Sequence, residues 1–105
     1  MKAENIKLTL ARVKNKELYN LIATRNGGRT TMRILDEILV NPKNANQLAK
    51  ILNLDYKTVT YHLEIICRHQ FVLKEKFDNY YFYHPSDKLI KSLDEYMIIR
   101  EEILK

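Results

Sequence analysis

Segment 44–69 constrains the fold most strongly, because its pattern indicates two short amphipathic helices joined by a tight turn. Asn44 and Gln47 form a capping pair that opens the first helix. Asn53, a residue that tolerates left-handed backbone, is the expected turn residue, and Asp55 caps the second helix. One side of that second helix is apolar at helical spacing, with Val59, Leu63 and Ile66. Two short helices with this junction form a helix-turn-helix pattern.

The residues upstream predict two further helices. The first covers about 14–26 and ends at Gly27-Gly28, since glycine takes up left-handed backbone at little cost. Thr30 is the expected cap of the next helix, which ends before Pro42 because the residue preceding a proline is disfavoured in helical conformation.

The sequence predicts the structure of the C-terminal part of the chain more clearly than that of the N-terminal residues. Residues 1–13 fit either a helix or a strand, and the lack of Gly or Pro before the next helix favours a helix. Two aromatic and β-branched runs, 71–77 and 80–83, flank Asp78-Asn79 and predict a β-hairpin. Ser86 is then placed to cap a final helix.

The order of four helices, a hairpin and a last helix is the layout of a winged helix-turn-helix. The expected fold class is therefore α+β and mostly helical, in one domain spanning 1–105. Residues 14–85 form its core, and 86–105 form a C-terminal dimerisation helix.

Charge and composition narrow the possible partners. The chain has a net charge of +5, and residues 1–83 carry 14 Lys and Arg against 8 Asp and Glu. A basic body is compatible with a polyanionic partner. No apolar run approaches ~20 residues, and the first residues do not resemble a signal peptide. The lone Cys67 excludes an internal disulfide, so a cytoplasmic protein without membrane contact is expected.

The residues of the helix pair resemble a known family, most specifically in the second helix. Leu48-Ala49, Leu52-Asn53-Leu54 and the run Thr58-Val59-Thr60-Tyr61-His62-Leu63 resemble the signature of ArsR-type winged-helix regulators. The stretches 27–35 and 41–49 resemble an archaeal branch of that group. The resemblance covers roughly 14–85 and implies a transcription regulator that binds operator DNA as a two-fold dimer.

The buried side of the second helix determines which residues face outward. A recognition helix over about 55–69 is expected in the major groove, where base edges are distinguishable. The hairpin, about 71–84, is the wing, and its alternating lysines are expected on the phosphate backbone. Thr58 is expected to be a phosphate or capping group. The predicted contacts to double-stranded DNA are Tyr56, Lys57, Thr58, Thr60, Tyr61, Lys74 and Lys76.

A homodimer is expected through the last helix, together with the first. Its row of Leu89, Leu93, Tyr96 and Ile103 has no evident cover in so short a chain.

Other functions find less support in the sequence. Sensors among ArsR-type proteins use paired cysteines or ligands on the last helix, whereas Asn46-Gln47 provides no thiolate and 86–105 contains no His. Cys67 and His69 diverge on a helix, and His62 is expected to be packed and hydrogen-bonded. No metal, cofactor or catalytic constellation is predicted.

Two alternatives remain open. One is a winged helix that contacts protein, as in subunits of the transcription machinery. The other is an RNA or single-strand binder that uses the aromatic hairpin, which requires Tyr80, Tyr81, Phe82 and Tyr83 to be exposed. We expect these aromatic residues to pack on the supporting helices instead.

Overall fold

The computed structural model describes residues 13–105, so the prediction for 1–13 lies almost wholly outside the described residues. Helices dominate, and the two strands form an antiparallel hairpin, which confirms the winged helix-turn-helix fold. The elements are α1 (Lys16–Tyr19), which continues as a π-helical turn (Asn20–Thr24), α2 (Gly28–Val40), α3 (Ala45–Leu52), α4 (Tyr56–Arg68), β1 (Val72–Phe77), β2 (Tyr80–Pro85), α5 (Asp87–Lys91) and α6 (Leu93–Leu104).

The start of α2 differs from the sequence prediction. The helix begins at Gly28 with Gly27 as its N-cap, so the expectation of a cap at Thr30 is wrong. Gly27 has φ +82°, a left-handed conformation that favours glycine. A Cβ on Gly28 would lie 1.8 Å from the Ile22 carbonyl oxygen. The glycine pair thus allows the chain to reverse tightly, and α2 starts two residues before the predicted cap.

The caps of the central helix pair confirm the sequence prediction. The Asn44 side chain accepts a hydrogen bond from the Gln47 amide, and the Gln47 side chain accepts one from the Asn44 amide, both at 2.8 Å. Asn53 has φ +55°, as expected for the turn residue. Asp55 Oδ1 accepts from the Thr58 amide at 2.9 Å. These bonds span only three residues, which is why local sequence predicts them.

The hairpin is anchored to the helical body at the base of β2. Its register pairs Val72 with Pro85 and Phe77 with Tyr80. The main chain of Lys43, between α2 and α3, exchanges two hydrogen bonds with Tyr83, at 3.2 and 2.8 Å. These two bonds therefore attach the base of the wing to the helical body.

The C-terminal segment is interrupted rather than continuous. Ser86 caps α5 as predicted, with its hydroxyl oxygen accepting from the Leu89 amide, but the helix breaks at Ser92 before α6. The Asn15 side-chain amide donates to Ser92 Oγ at 3.0 Å, which joins the break to the start of α1. The expectation of one unbroken last helix is wrong for this reason.

Two residues of the predicted dimer row are covered by their own chain. Leu89 and Tyr96 are fully buried, so the premise that the row lacks cover is wrong for both. The Tyr96 hydroxyl donates to Asp36 Oδ1 at 2.6 Å and lies 3.0 Å from the Met32 carbonyl oxygen, both on α2. The helical body therefore buries this face of α6 itself.

The other two residues of the predicted row are only partly exposed for contact with a second subunit. Leu93 is 36% exposed, and Ile103 is partly buried against the core. Among residues 13–105, no helix is long and apolar enough to cross a membrane.

Candidate nucleic-acid interface

One side of α4 is buried in the core, and the other side is exposed to solvent. Val59, Leu63 and Ile66 lie in the core, as predicted from their spacing. Tyr56 and Tyr61 are 55% and 59% exposed. Lys57 is also exposed, whereas Thr58 and Thr60 are half-buried. The first two turns therefore present one cation and two phenolic side chains to solvent, in a geometry that suits contact with base edges and phosphates.

The two threonines take part in hydrogen bonds within the helix. Thr58 Oγ1 donates to Asp55 Oδ2 at 2.8 Å, and Thr60 Oγ1 donates to the Lys57 carbonyl oxygen at 3.1 Å. The bonds from Thr58 lower the pKa of the Asp55 carboxyl, so the cap remains ionised. Thr58 thus has the capping role that was one of its two expected roles. Either hydroxyl can act towards DNA only as an acceptor while these bonds last.

A buried polar contact holds α4 against α2. The Arg25 guanidinium donates to Thr31 Oγ1 at 2.9 Å, and Thr31 Oγ1 lies 3.3 Å from His62 Nδ1. Since the Thr31 oxygen already accepts from Arg25, its own proton is free to be donated to His62. Burial, and then the Arg25 charge, lower the pKa of His62. His62 is therefore neutral and packed, which confirms its expected structural role.

The wing carries its lysines on the face that looks towards α4. In the strand register Lys74 lies opposite Tyr83, and Lys76 lies opposite Tyr81, so both lysines share one face. Lys74 Nζ lies 4.5 Å from the centroid of the Tyr81 ring and 6.0 Å from that of Tyr83. These cation–π contacts orient Lys74 along the inner side of the wing.

A cleft of about 490 Å³ separates α4 from the wing. Its lining combines aromatic, cationic and amide side chains, including Asn46, Tyr56, Thr60, Lys74, Tyr81 and Tyr83. Asn46 was not among the predicted contacts, although it is exposed in the first turn of α3. Only its position two residues after the Asn44 cap could have suggested that it lies at the cleft. Of the seven predicted contact residues, the cleft brings Tyr56, Thr60 and Lys74 into one concave surface.

The wing aromatics correct one expectation. Tyr83 is 7% exposed and packs on the body as expected, but Tyr80 and Tyr81 are 57% and 50% exposed. The expected packing is wrong for these two residues because the anchor at Lys43 reaches only the base of β2. The residues nearer the tip extend beyond the supporting helices.

Cys67 lies in the wall of the same cleft and is half-buried. Burial raises the pKa of its thiol, so the protonated form is favoured and the side chain acts as a small apolar filler. Within residues 13–105, no group of three or more His, Cys, Asp or Glu side chains is arranged to hold a metal ion.

The C-terminal helices expose a second apolar row. Ile90, Met97 and Leu104 are each about half exposed, and Leu93 lies between Ile90 and Met97 in the sequence. Residues 93, 97 and 104 are separated by four and seven positions, so they share one face of α6. This row shares Leu93 with the predicted one, and its other members are exposed to solvent.

The element order, the capped helix pair and the anchored hairpin define the molecule as a winged helix-turn-helix domain. No protein-family model matches the sequence, and neither does any curated protein.

Solved structures with the same fold include transcriptional regulators. The chain is similar to reduced HlyU from Vibrio cholerae, with 20% identity, a TM-score of 0.62, and coverage of 88% of this chain and 90% of that one. It is similar to the homodimeric winged helix-turn-helix domain of Mb0332 from Mycobacterium bovis, a possible ArsR-family regulator, with 16% identity, a TM-score of 0.66, and coverage of 100% and 92%. The AntR antimony-specific transcriptional repressor matches with 16% identity, a TM-score of 0.62, and coverage of 98% and 85%.

Proposed function

We propose that the chain is a double-stranded DNA-binding transcription regulator, and not an enzyme, with α4 in the major groove and the wing along the phosphate backbone. The observation that carries the proposal is the exposed group of Tyr56, Lys57 and Tyr61 at the start of α4. Residues near the start of a recognition helix reach furthest into the groove. Proteins with the same fold support this proposal, since AntR is a transcriptional repressor and Mb0332 is a possible ArsR-family transcriptional regulator.

The wing supplies the part of the interface that does not depend on base sequence. Lys74 and Lys76 lie on the face of the wing that borders the cleft, and Asn46 lies across the cleft from them. A phosphate backbone that follows the cleft would contact both lysines while α4 enters the adjacent groove. The predicted contacts Thr58 and Thr60 would serve as hydrogen-bond acceptors beside it.

Selection of bound sequences from random duplex DNA tests the proposal. On the selected duplex, Lys57→Ala or Tyr61→Ala should weaken binding by ~1–3 kcal/mol, because each removes a base contact without affecting the core. Lys50→Ala on α3 is the matched control, since Lys50 is exposed but lies outside α4 and the wing. Unchanged affinity in both α4 variants would remove α4 from the recognition role.

We further propose that the protein is a homodimer of the ArsR type, from the archaeal branch indicated by the sequence, and that it acts in the cytoplasm. The seam follows the exposed row Ile90, Leu93, Met97 and Leu104, because the predicted row is largely covered by its own chain. The segment 84–105 has 4 Lys and Arg against 5 Asp and Glu. Two copies can therefore meet there without strong charge repulsion.

Sedimentation tests the position of this seam. Met97→Glu should convert the dimer to monomer, since it would bury an unpaired carboxylate. It should also weaken binding to a site whose half-sites lie ~34 Å apart. Ile51→Glu on α3 is a matched control, because Ile51 and Met97 are both 52% exposed. A Met97→Glu dimer as stable as the wild type would place the seam elsewhere.

The exposure of Tyr80 and Tyr81 favours a second candidate function, the binding of single strands by stacking of bases on these rings. Under this alternative, Tyr81→Ala weakens single-strand binding by ~1–3 kcal/mol, and single strands bind more tightly than any duplex. Fluorescence titration with single-stranded and duplex forms of the same sequence separates the two candidates.

A further inference from the structure

The two faces of the wing differ in chemical character. The inner face holds Val72, Lys74, Lys76, Tyr81 and Tyr83, and it is inner because Val72 and Tyr83 are buried against the body. The opposite face, which we name the outer wing face, holds Leu73, Glu75, Phe77, Tyr80, Phe82 and His84. Cross-strand pairing of Leu73 with His84 and of Glu75 with Phe82 places these residues together.

The outer wing face exposes large apolar side chains. Phe77 is 74% exposed and Leu73 is 45% exposed. The Phe77 and Phe82 rings meet edge to face with centroids 6.4 Å apart, so the apolar surface is continuous near the tip. Exposure of a phenylalanine side chain to water is energetically unfavourable. Exposed apolar groups that form such a patch mark an interaction surface.

The charge of this face disfavours DNA. Glu75 is largely exposed, with its carboxylate 3.5 Å from His84 Nε2, and Asp78 lies in the adjacent turn. The outer wing face contains no Lys or Arg. Carboxylates repel phosphates, whereas the lysines of the wing point to its other side. We propose that the outer wing face docks another protein, whose contact surface is apolar and carries a Lys or Arg side chain opposite Glu75.

A second copy of this chain is a poor occupant of the same face. Docking around a two-fold axis brings the same patch of both subunits together. Each patch would then carry a Glu75 carboxylate, and neither patch would supply a Lys or Arg side chain to pair with the carboxylate of the other. The partner is therefore a different protein, and the wing would hold DNA on its inner face and this partner on its outer face.

The test is a selection from a displayed library of random short peptides, with the full chain as the target and no DNA present. Its outcome therefore does not depend on the proposed duplex binding. We expect the enriched peptides to combine apolar residues with Lys or Arg. Phe77→Ser should weaken their binding by about tenfold, and Glu75→Gln should weaken it to a smaller degree. Val40→Ser is the control, because Val40 is 76% exposed on α2 and should leave binding unchanged.

Four results would overturn the proposal. In the first, selection on the wild type enriches no peptide beyond those enriched on the Phe77→Ser variant. In the second, the enriched peptides bind that variant as tightly as they bind the wild type. A lower duplex affinity of Phe77→Ser would assign the face to DNA, as an apolar wedge in the minor groove. Dissociation of the dimer by Phe77→Ser in sedimentation would assign the face to a second copy.

Discussion

Replacing Tyr96 with Phe tests whether α6 is held by its own chain or by a partner. Tyr96 is fully buried, and its hydroxyl lies 2.6 Å from Asp36 Oδ1 and 3.0 Å from the Met32 carbonyl oxygen. Arg100 Nε also donates to the Asp36 carboxylate, at 3.1 and 3.0 Å from its two oxygens. Tyr96 thus stabilises α6 on α2 through a charged acceptor.

The expected magnitude follows from this geometry. A hydroxyl donates one proton, and the shorter contact directs it to the carboxylate. Hydrogen bonds to charged groups contribute about 1.5–3 kcal/mol to stability. Asp36 keeps its bond to Arg100 in the variant, so the carboxylate is not left without a partner. We expect Tyr96→Phe to lower the free energy of unfolding by about 2 kcal/mol, with no change in oligomeric state.

Urea denaturation at two protein concentrations, with sedimentation of the same samples, measures both quantities. Tyr19→Phe is the control, because Tyr19 is also buried but its hydroxyl has no hydrogen-bond partner within residues 13–105. If Tyr96→Phe changed the dimer dissociation constant and left the stability of the subunit unaltered, Tyr96 would belong to the subunit interface, as the sequence alone predicted.

Three further variants test the turn, the buried histidine and the wing. Gly28→Ala should lower the free energy of unfolding by about 3 kcal/mol or more, because its Cβ would clash with the Ile22 carbonyl. If urea denaturation instead showed a small increase in stability, as alanine gives elsewhere in helices, the tight reversal would be contradicted. The lowered pKa of His62 means that the unfolded state takes up a proton first, near pH 6.5. Stability should therefore fall as pH decreases from ~7 to ~5, and less so in His62→Gln; identical pH profiles would refute this. Lys76→Ala should weaken binding to all duplexes alike and reduce the slope of log affinity against log salt by about one. A changed sequence preference with an unchanged slope would contradict a phosphate contact.

Local chemistry accounts for the features that the sequence determined. The caps at Asn44 and Asp55 and the turn at Asn53 depend on hydrogen bonds and backbone preferences within a few residues. The core side of α4 follows from its apolar spacing, since the polar residues of that helix leave a single apolar face. Together these features determined the helix pair, and the side of α4 opposite the core followed from them.

Tertiary contacts decided the remaining features. Apolar residues are distributed around α6, so periodicity could not select its inner face, and Tyr96 faces inward because its hydroxyl reaches Asp36, sixty residues earlier in the chain. Helix α2 starts at Gly28 because Ile22 approaches it closely. Tyr80 and Tyr81 remain exposed because the bridge to Lys43 holds only the base of the wing. In each instance the deciding partner is distant in sequence or belongs to another element, and a sequence pattern specifies a face but not what covers it.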